Sequence, residues 1–234
     1  MMLLLDLFCG AGGAAMGYHR AGFTVVGVDN RPQRSYPFAF VQDDALHVLQ
    51  ALYEGEALYT GDAYHHLADF AAIHASPPCK RFTVARKVHA TNRPTLFDPH
   101  DDLVEPTRAL LLLLGIPYVI ENVPGAPLRA AGILCGSMFG LRVRRHRLFE
   151  TNWRLAAPRC RHADQPEVVG VYGDGGAWTR SRPGGGGRKV VGAEAAAALG
   201  IDWTERQSEL AQAIPPAYTQ FVGARLRAHL AVAA

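Results

Sequence analysis

Leu3-Leu4-Leu5-Asp6-Leu7-Phe8-Cys9-Gly10-Ala11-Gly12-Gly13 opens the chain, and its reading decides the fold. An apolar run of strand length ends in a glycine cluster, and Ala14 to Ala21 then has helical character. Glycines after a strand let the backbone turn tightly and approach a bound molecule closely. The helix that follows offers unpaired N–H groups at its start. Taken alone, such a turn suits many nucleotide-like ligands.

Working outward, the same unit repeats. Phe23 to Val28 is a second apolar strand ending at Asp29, and Tyr36 to Phe40 leads to a third strand end at Asp43 and Asp44. A helix is expected from Asp44 to Tyr53. A fourth strand, Ala71 to Ala75, runs into Ser76-Pro77-Pro78-Cys79. Asp101 to Leu114 reads as a long apolar helix. Tyr118 to Ile120 reads as a fifth strand before Glu121-Asn122-Val123-Pro124. This alternation predicts an α/β, doubly wound, mostly parallel sheet with helices on both faces, a Rossmann-like arrangement. Ligands bind beyond the carboxyl ends of strands in such sheets, and every polar motif above sits at such an end.

Three parts are expected along the chain. Residues 1–150 form the main domain. Residues 151–200 form a small basic Gly-rich lobe, with Arg159, Arg161, His162 and the Arg180 to Lys189 stretch around four consecutive glycines. Residues 201–234 form a helical segment that closes the domain. The lobe reads either as a loop insertion or as a surface that touches a polyanion.

The 234 residues suffice for one α/β domain with an appended lobe. At 49% hydrophobic and 19% charged, the composition is that of a folded chain, not a disordered one. A net charge of +3 permits nucleic-acid binding without demanding it. Four dispersed cysteines form no disulfide framework, so a cytoplasmic location is expected. The apolar start is too short for a signal peptide or a membrane span. Cys135, Cys160 and His162 fit no common zinc spacing and show no evident fourth ligand, so no metal is expected.

The strand-end residues carry the chemistry. Asp29 lies about 20 residues past the glycine turn, a spacing suited to a carboxylate that accepts from ribose hydroxyls. Asp44 could accept from an adenine amino group. Together they suggest an adenosine-containing cofactor, although both could simply cap loops. Pro77 and Pro78 present Cys79 in a rigid turn, and a thiolate suits addition to an electron-poor ring carbon. Glu121 near an apolar pocket can have a raised pKa and act as an acid. In Arg144-Arg145-His146-Arg147-Leu148-Phe149, strand alternation would put Arg145, Arg147 and Phe149 on one face.

With these motifs assembled, the chain resembles the DNA cytosine-carbon-5 methyltransferase family, in its compact bacterial or phage type. Asp6-Leu7-Phe8-Cys9-Gly10-Ala11-Gly12-Gly13 resembles the family's cofactor motif, Pro77-Pro78-Cys79 its nucleophile motif, Glu121-Asn122-Val123 its base-binding motif, and Arg145-His146-Arg147 its paired-arginine motif. Asp29 and Asp44 fall where its ribose and adenine carboxylates fall. Order and spacing agree across nearly the whole chain, weakly from Thr151 to Gly200. Ile214 to Gly223 resembles the last motif, except that Val222-Gly223-Ala224 replaces its usual Gly-Asn-Ser.

The resemblance implies S-adenosyl-L-methionine as cofactor, bound by Phe8, Gly10, Gly12, Gly13, Asp29, Asn30, Asp44 and Pro78. It implies that Cys79, Glu121, Arg145 and Arg147 methylate a cytosine flipped out of double-stranded DNA. Arg147 would hold the cytosine carbonyl, and Arg145 would support the nucleophile loop. A cognate restriction endonuclease is a compatible partner, and no membrane is. Three alternatives stay open: a tRNA methyltransferase of the same fold, a catalytically silent DNA-binding module, and an enzyme transferring a bulkier group.

Overall fold

The computed structural model describes residues 2–78, 102–165, 167–173 and 187–233. The first half alternates β1 (Met2–Leu7), α1 (Gly13–Arg20), β2 (Phe23–Asp29), β3 (Ala39–Gln42) and α2 (Ala45–Tyr53). A two-strand hairpin, β4 (Leu58–Tyr59) and β5 (Tyr64–His65), precedes β6 (Phe70–Ala75). Then come α3 (Val104–Leu114), β7 (Tyr118–Asn122), β8 (Gly132–Leu134) and β9 (Arg147–Thr151). β10 (Val169–Gly170), β11 (Arg188–Lys189), α4 (Gly192–Leu199), α5 (Gln207–Gln212) and α6 (Pro216–Ala233) complete the chain.

Seven strands form one sheet in the order β3-β2-β1-β6-β7-β9-β8. β3 through β7 run parallel, whereas β9 and β8 pair antiparallel at the far edge. The sheet is apolar on both faces, which is what a parallel sheet covered by helices needs. Leu5, Leu7, Val26, Val28, Ile73 and Ile120 pack with Val48, Leu49, Leu111 and Leu114 of α2 and α3. Leu4, Val25, Ala72 and Val119 pack on the other face with Ala14, Tyr18, Tyr218 and Val222 of α1 and α6. The doubly wound, mostly parallel arrangement expected from the strand–helix alternation is therefore present. Among the described residues no helix is long and apolar enough to cross a membrane.

Several boundaries differ from expectation for local reasons. Asp44 is not a strand end: β3 closes at Gln42, and the Asp44 side chain caps α2 by accepting from the Leu46 and His47 N–H groups. β7 runs through Glu121 and Asn122, so both lie in the strand. β9 begins only at Arg147, because Arg145 has a φ of 24°, which no extended strand allows. The expected alternation of Arg145, Arg147 and Phe149 on one face therefore does not form, and Phe149 is buried in the core. The closing segment is two helices, with Pro216 at the first position of α6.

The described residues of the 151–200 stretch include regular, packed structure. β10 and β11 pair in parallel, and Val169, Val171 and Val190 pack with Ala195, Ala198 and Leu199 of α4 and with Leu210 of α5.

α1 and α6 approach so closely that a Cβ on Gly17 would sit 2.0 Å from Thr219 Oγ1 and 2.2 Å from the Pro216 carbonyl oxygen. The Thr219 hydroxyl donates to the Ala14 carbonyl at 2.9 Å. Gly to Ala in an open helix gains up to about 1 kcal/mol. Here overpacking reverses the sign, and Gly17→Ala is expected to cost about 1–3 kcal/mol in chemical denaturation.

Candidate active site

The strand order reverses between β1 and β6, so their carboxyl ends flank the crevice where such sheets bind ligands. The glycine turn lies on one side and Ser76-Pro77-Pro78 on the other. Ser76 N–H donates to the Leu7 carbonyl at 3.1 Å, which joins the two.

On the β1 side the backbone is left-handed at Phe8, Gly10 and Gly12. Nothing lies within 4 Å of where a Gly10 Cβ would be, so a ligand can approach the chain there. Gly12 and Gly13 serve packing instead: Cβ atoms on them would meet Pro37 at 2.8 Å and the Ile214 carbonyl oxygen at 2.3 Å. Asp29 accepts from Gly10 N–H at 3.1 Å and Arg31 N–H at 3.0 Å, which fixes its carboxylate beside the open turn. A carboxylate has about four acceptor sites, so it keeps capacity for a diol. Asn30 is exposed one residue on, Asp44 has Oδ2 outside its capping bonds, and Pro78 is exposed at the crevice's other lip. This open, acid-flanked turn fits the ribose and backbone contacts of an adenosine-type cofactor.

Asp6 is fully buried beneath the turn, and neither carboxyl oxygen meets hydrogen-bond geometry. Burial, then the nearby Asp29 charge, raises its pKa well above the ordinary carboxylate range, with the Ala15 N–H opposing in part.

On the β6 and β7 side, Asn122 is the organising side chain. Its amide donates to the Pro77 carbonyl at 3.1 Å, and its own oxygen accepts from Val123 N–H at 2.8 Å. It thus ties the proline turn to the end of β7. Glu121 is buried, and Arg147 Nε lies 3.0 Å from its Oε1. Burial raises the Glu121 pKa, while Arg147 and then Arg145 oppose the rise. Desolvation wins, and the carboxyl is an acid poised above its ordinary range.

Arg145 reaches away from the described part of the proline turn, and the loop beyond Pro78 that it was expected to support lies outside the described residues. Its guanidinium donates to the Val171 carbonyl at 3.1 Å and to the Ala211 carbonyl, bracing the lobe and α5. Its own carbonyl accepts from Tyr218 Oη at 2.9 Å. Arg147 is the arginine in direct contact with Glu121. Cys79 lies outside the described residues. Of the other cysteines, Cys9 is buried near Asp6 and Asp29, which pushes its thiol far up and leaves it inert.

Three contributors carried no sequence signal. Trp203 Nε1 donates to the Ala11 carbonyl at 2.8 Å and so walls the glycine turn. Tyr36 packs over Gly27, where a Cβ would meet its ring at 2.2 Å. His74, fully buried, lies 3.0 Å from Tyr18 Oη through Nδ1 and 2.9 Å from Ser76 Oγ through Nε2. The replaced end of the last motif sits elsewhere: Gly223 packs against Ala21 and Tyr18, and Val222 is core.

Part of the lobe's charge is taken up by ion pairs within it and with the neighbouring Arg142. Arg142 pairs with Glu167 at 2.6 Å and Glu194 at 3.0 Å, Arg188 pairs with the same two acids, and Lys189 is buried beside the Tyr172 ring. Arg180 and Arg182 lie outside the described residues. Farther along, the fold gathers Cys135, His146, Cys160 and His162, residues that sequence spacing kept apart.

The sequence matches no family model and no curated protein. Solved structures match over nearly the full length. One is described as a DNA modification methyltransferase encoded within an E. coli prophage, with TM-score 0.63 and 14% identity, over 99% of this chain and 100% of that one. The S. pombe Dnmt2 methyltransferase matches with TM-score 0.58 and 12% identity, over 98% and 99% of the two chains. The Entamoeba histolytica methyltransferase EhMeth matches with TM-score 0.56 and 13% identity, over 98% of each. At such identities the likeness is one of fold, and the fold is the Rossmann-like one of these methyltransferases.

Burial pushes His74 down to about 3, so the fold holds it neutral. Between about pH 6.5 and 3 the unfolded chain binds a proton that the folded chain excludes, so His74 makes stability fall as pH drops through that window. In His74→Gln the unfolding free energy is expected to vary less steeply with pH over that range. An unchanged slope in denaturant titrations would show that His74 is protonated in the fold.

Proposed function

We propose that the chain is an S-adenosylmethionine-dependent methyltransferase acting on carbon 5 of cytosine in DNA. The observation that carries the reading is Glu121, buried with a raised pKa, against Arg147 and one residue from the Asn122 that holds the Pro77 carbonyl. That joins the acid, the paired arginine and the turn leading to Cys79 at one end of the sheet. The fold shared with DNA-modifying methyltransferases supports the same reading.

S-adenosylmethionine, held by the Gly10 turn, Asp29 and Asp44 with Phe8, Asn30 and Pro78 around it, supplies an electrophilic methyl group. The chain's own residues prepare the acceptor. A duplex cytosine is reached only by flipping it out of the stack. The Cys79 thiolate adds to carbon 6, and Glu121 gives a proton to, or hydrogen-bonds, ring nitrogen 3, which drains charge from the ring. Arg147 holds Glu121 and, by its likeness to the family's paired arginine, would bind the base carbonyl. Carbon 5 becomes enamine-like and nucleophilic, and it would take the methyl group while the electron pair of the broken carbon–sulfur bond stays on sulfur, leaving a neutral thioether. Loss of its proton and elimination of the Cys79 thiolate restore the aromatic ring. Cys79 is the nucleophile by residue type, by its two prolines, and because Cys9 is inert.

Cys79→Ser is expected to abolish methyl transfer while cofactor binding persists in calorimetry; wild-type turnover would remove the covalent route. Glu121→Gln should lower the single-turnover rate by roughly 100-fold, the scale for losing a general acid. Labelled methyl incorporation into duplex DNA against tRNA, with mass spectrometry of the digested nucleosides, identifies the substrate. 5-Methylcytosine in tRNA alone would replace DNA with RNA. A heavier modified base would identify a bulkier group, and no modification of either would favour a silent binding module.

A further inference from the structure

Four potential metal ligands come together from three separate stretches. Cys135 follows β8 and is fully buried, His146 immediately precedes β9, and Cys160 and His162 lie beyond β9 where a short 3-10 turn, His162–Asp164, begins. One ligand atom from each lies within 4.8 Å of every other. Cys135 Sγ is 3.3 Å from His162 Nε2, and Cys160 Sγ is 3.4 Å from His146 Nε2. Zinc–sulfur bonds of about 2.3 Å and zinc–nitrogen bonds of about 2.0–2.1 Å at a tetrahedral centre put sulfur and nitrogen about 3.5 Å apart. Both observed pairs match that edge. The two imidazole rings stand at 77° to each other with centroids 5.2 Å apart, close enough to share one centre.

We propose that Cys135, His146, Cys160 and His162 form a closed structural zinc site. Two thiolates neutralise the divalent ion, and four protein ligands leave no open position for chemistry. The surroundings also fit a metal-bound thiolate: Ser137 Oγ donates to Cys135 Sγ at 3.3 Å, and Ser137 is itself held by Arg161 N–H at 3.0 Å. Soft sulfur with imidazole in a tetrahedral set selects zinc over the hard cations.

Such a site would act at a place where the fold otherwise has little regular structure. It would pin the segment after β9 to the end of β8, and it would fix His146, which stands between Arg145 and Arg147. Arg145 carries the left-handed backbone and Arg147 contacts Glu121. The metal is therefore a cross-link behind the arginine pair, outside the reacting groups.

Protein purified without chelators is expected to carry about one zinc ion per chain by mass spectrometry. Cys160→Ser is the first variant because Cys160 is exposed; its zinc content should fall below about a tenth of an ion per chain. Cys79→Ser should keep its zinc, and its loss there would overturn the ligand set. Should Cys160→Ser fail to fold, cobalt added to metal-stripped wild type decides. Intense visible bands with a near-ultraviolet thiolate band, saturating at one equivalent and displaced by zinc, support a tetrahedral two-sulfur site. Absence of those bands, zinc retained by Cys160→Ser, or a Cys135–Cys160 disulfide in the native protein would overturn it. Metal content is read without methyl transfer, so the outcome is independent of the proposed reaction.

Discussion

The contact between α1 and α6 is the constraint on which the rest of the structure depends. α1 presents Gly13 and Gly17 four residues apart on one face, and its C-cap Ala21 adds only a methyl group to that line. α6 and the residue pair before it lie in that groove, and backbone meets backbone there. The consequence is long-range, because the last quarter of the chain is held against its first helix. From that position Tyr218 reaches the Arg145 carbonyl and Trp203 reaches the Ala11 carbonyl. The glycine turn and the arginine segment, more than 130 residues apart in sequence, are thus positioned by the same closing segment.

At the carboxyl edge the decisive balance is between desolvation and charge. Glu121 sits on the strand face that also carries Val119 and, on the neighbouring strands, Asp6 and His74, in an interior that penalises ionisation. Arg147 at 3.0 Å would by itself drive the carboxyl down. The shift is nevertheless upward because burial is the larger effect. An acid so balanced gives up its proton less readily than a solvated glutamate, yet a cation beside it stabilises the anion once the proton has gone. That combination suits reversible proton donation to a weakly basic ring nitrogen. Removing the arginine or opening the pocket to water would each disturb it, in opposite directions.

Much of this was legible in the sequence, because glycine and proline mark strand ends and the apolar runs between them have strand and helix lengths. The sheet, the open turn at Gly10, Asp29 and the burial of Glu121 follow from those marks. Asp44 was legible as a cap, and its capping bonds do not exhaust its carboxylate. Arg145 was misread because alternation assumes an extended chain, and one residue with positive φ ends the alternation. The lobe looked like a loop because its helix is an alanine run between glycines, which has little amphipathic signature. Trp203, Tyr36 and the grouping of His146 with three distant residues left no local trace. Each depends on which strands become neighbours, and spacing along the chain does not encode that.

The left-handed turn at Arg145 then acquires a physical reason. A non-glycine residue held there costs on the order of 1–3 kcal/mol and persists only where its surroundings over-determine it. Its carbonyl is held by Tyr218 from α6, and its guanidinium by Val171 and Ala211 from the lobe and α5. Three segments therefore fix one strained residue, and the turn aims Arg147, two residues on, into the sheet edge beside Glu121. An unstrained strand start would have carried Arg145 and Arg147 to the same face and left the lobe unbraced. The strain is the means by which two arginines one residue apart do separate tasks, one joining the lobe to the domain and the other opposing the desolvation of the buried acid.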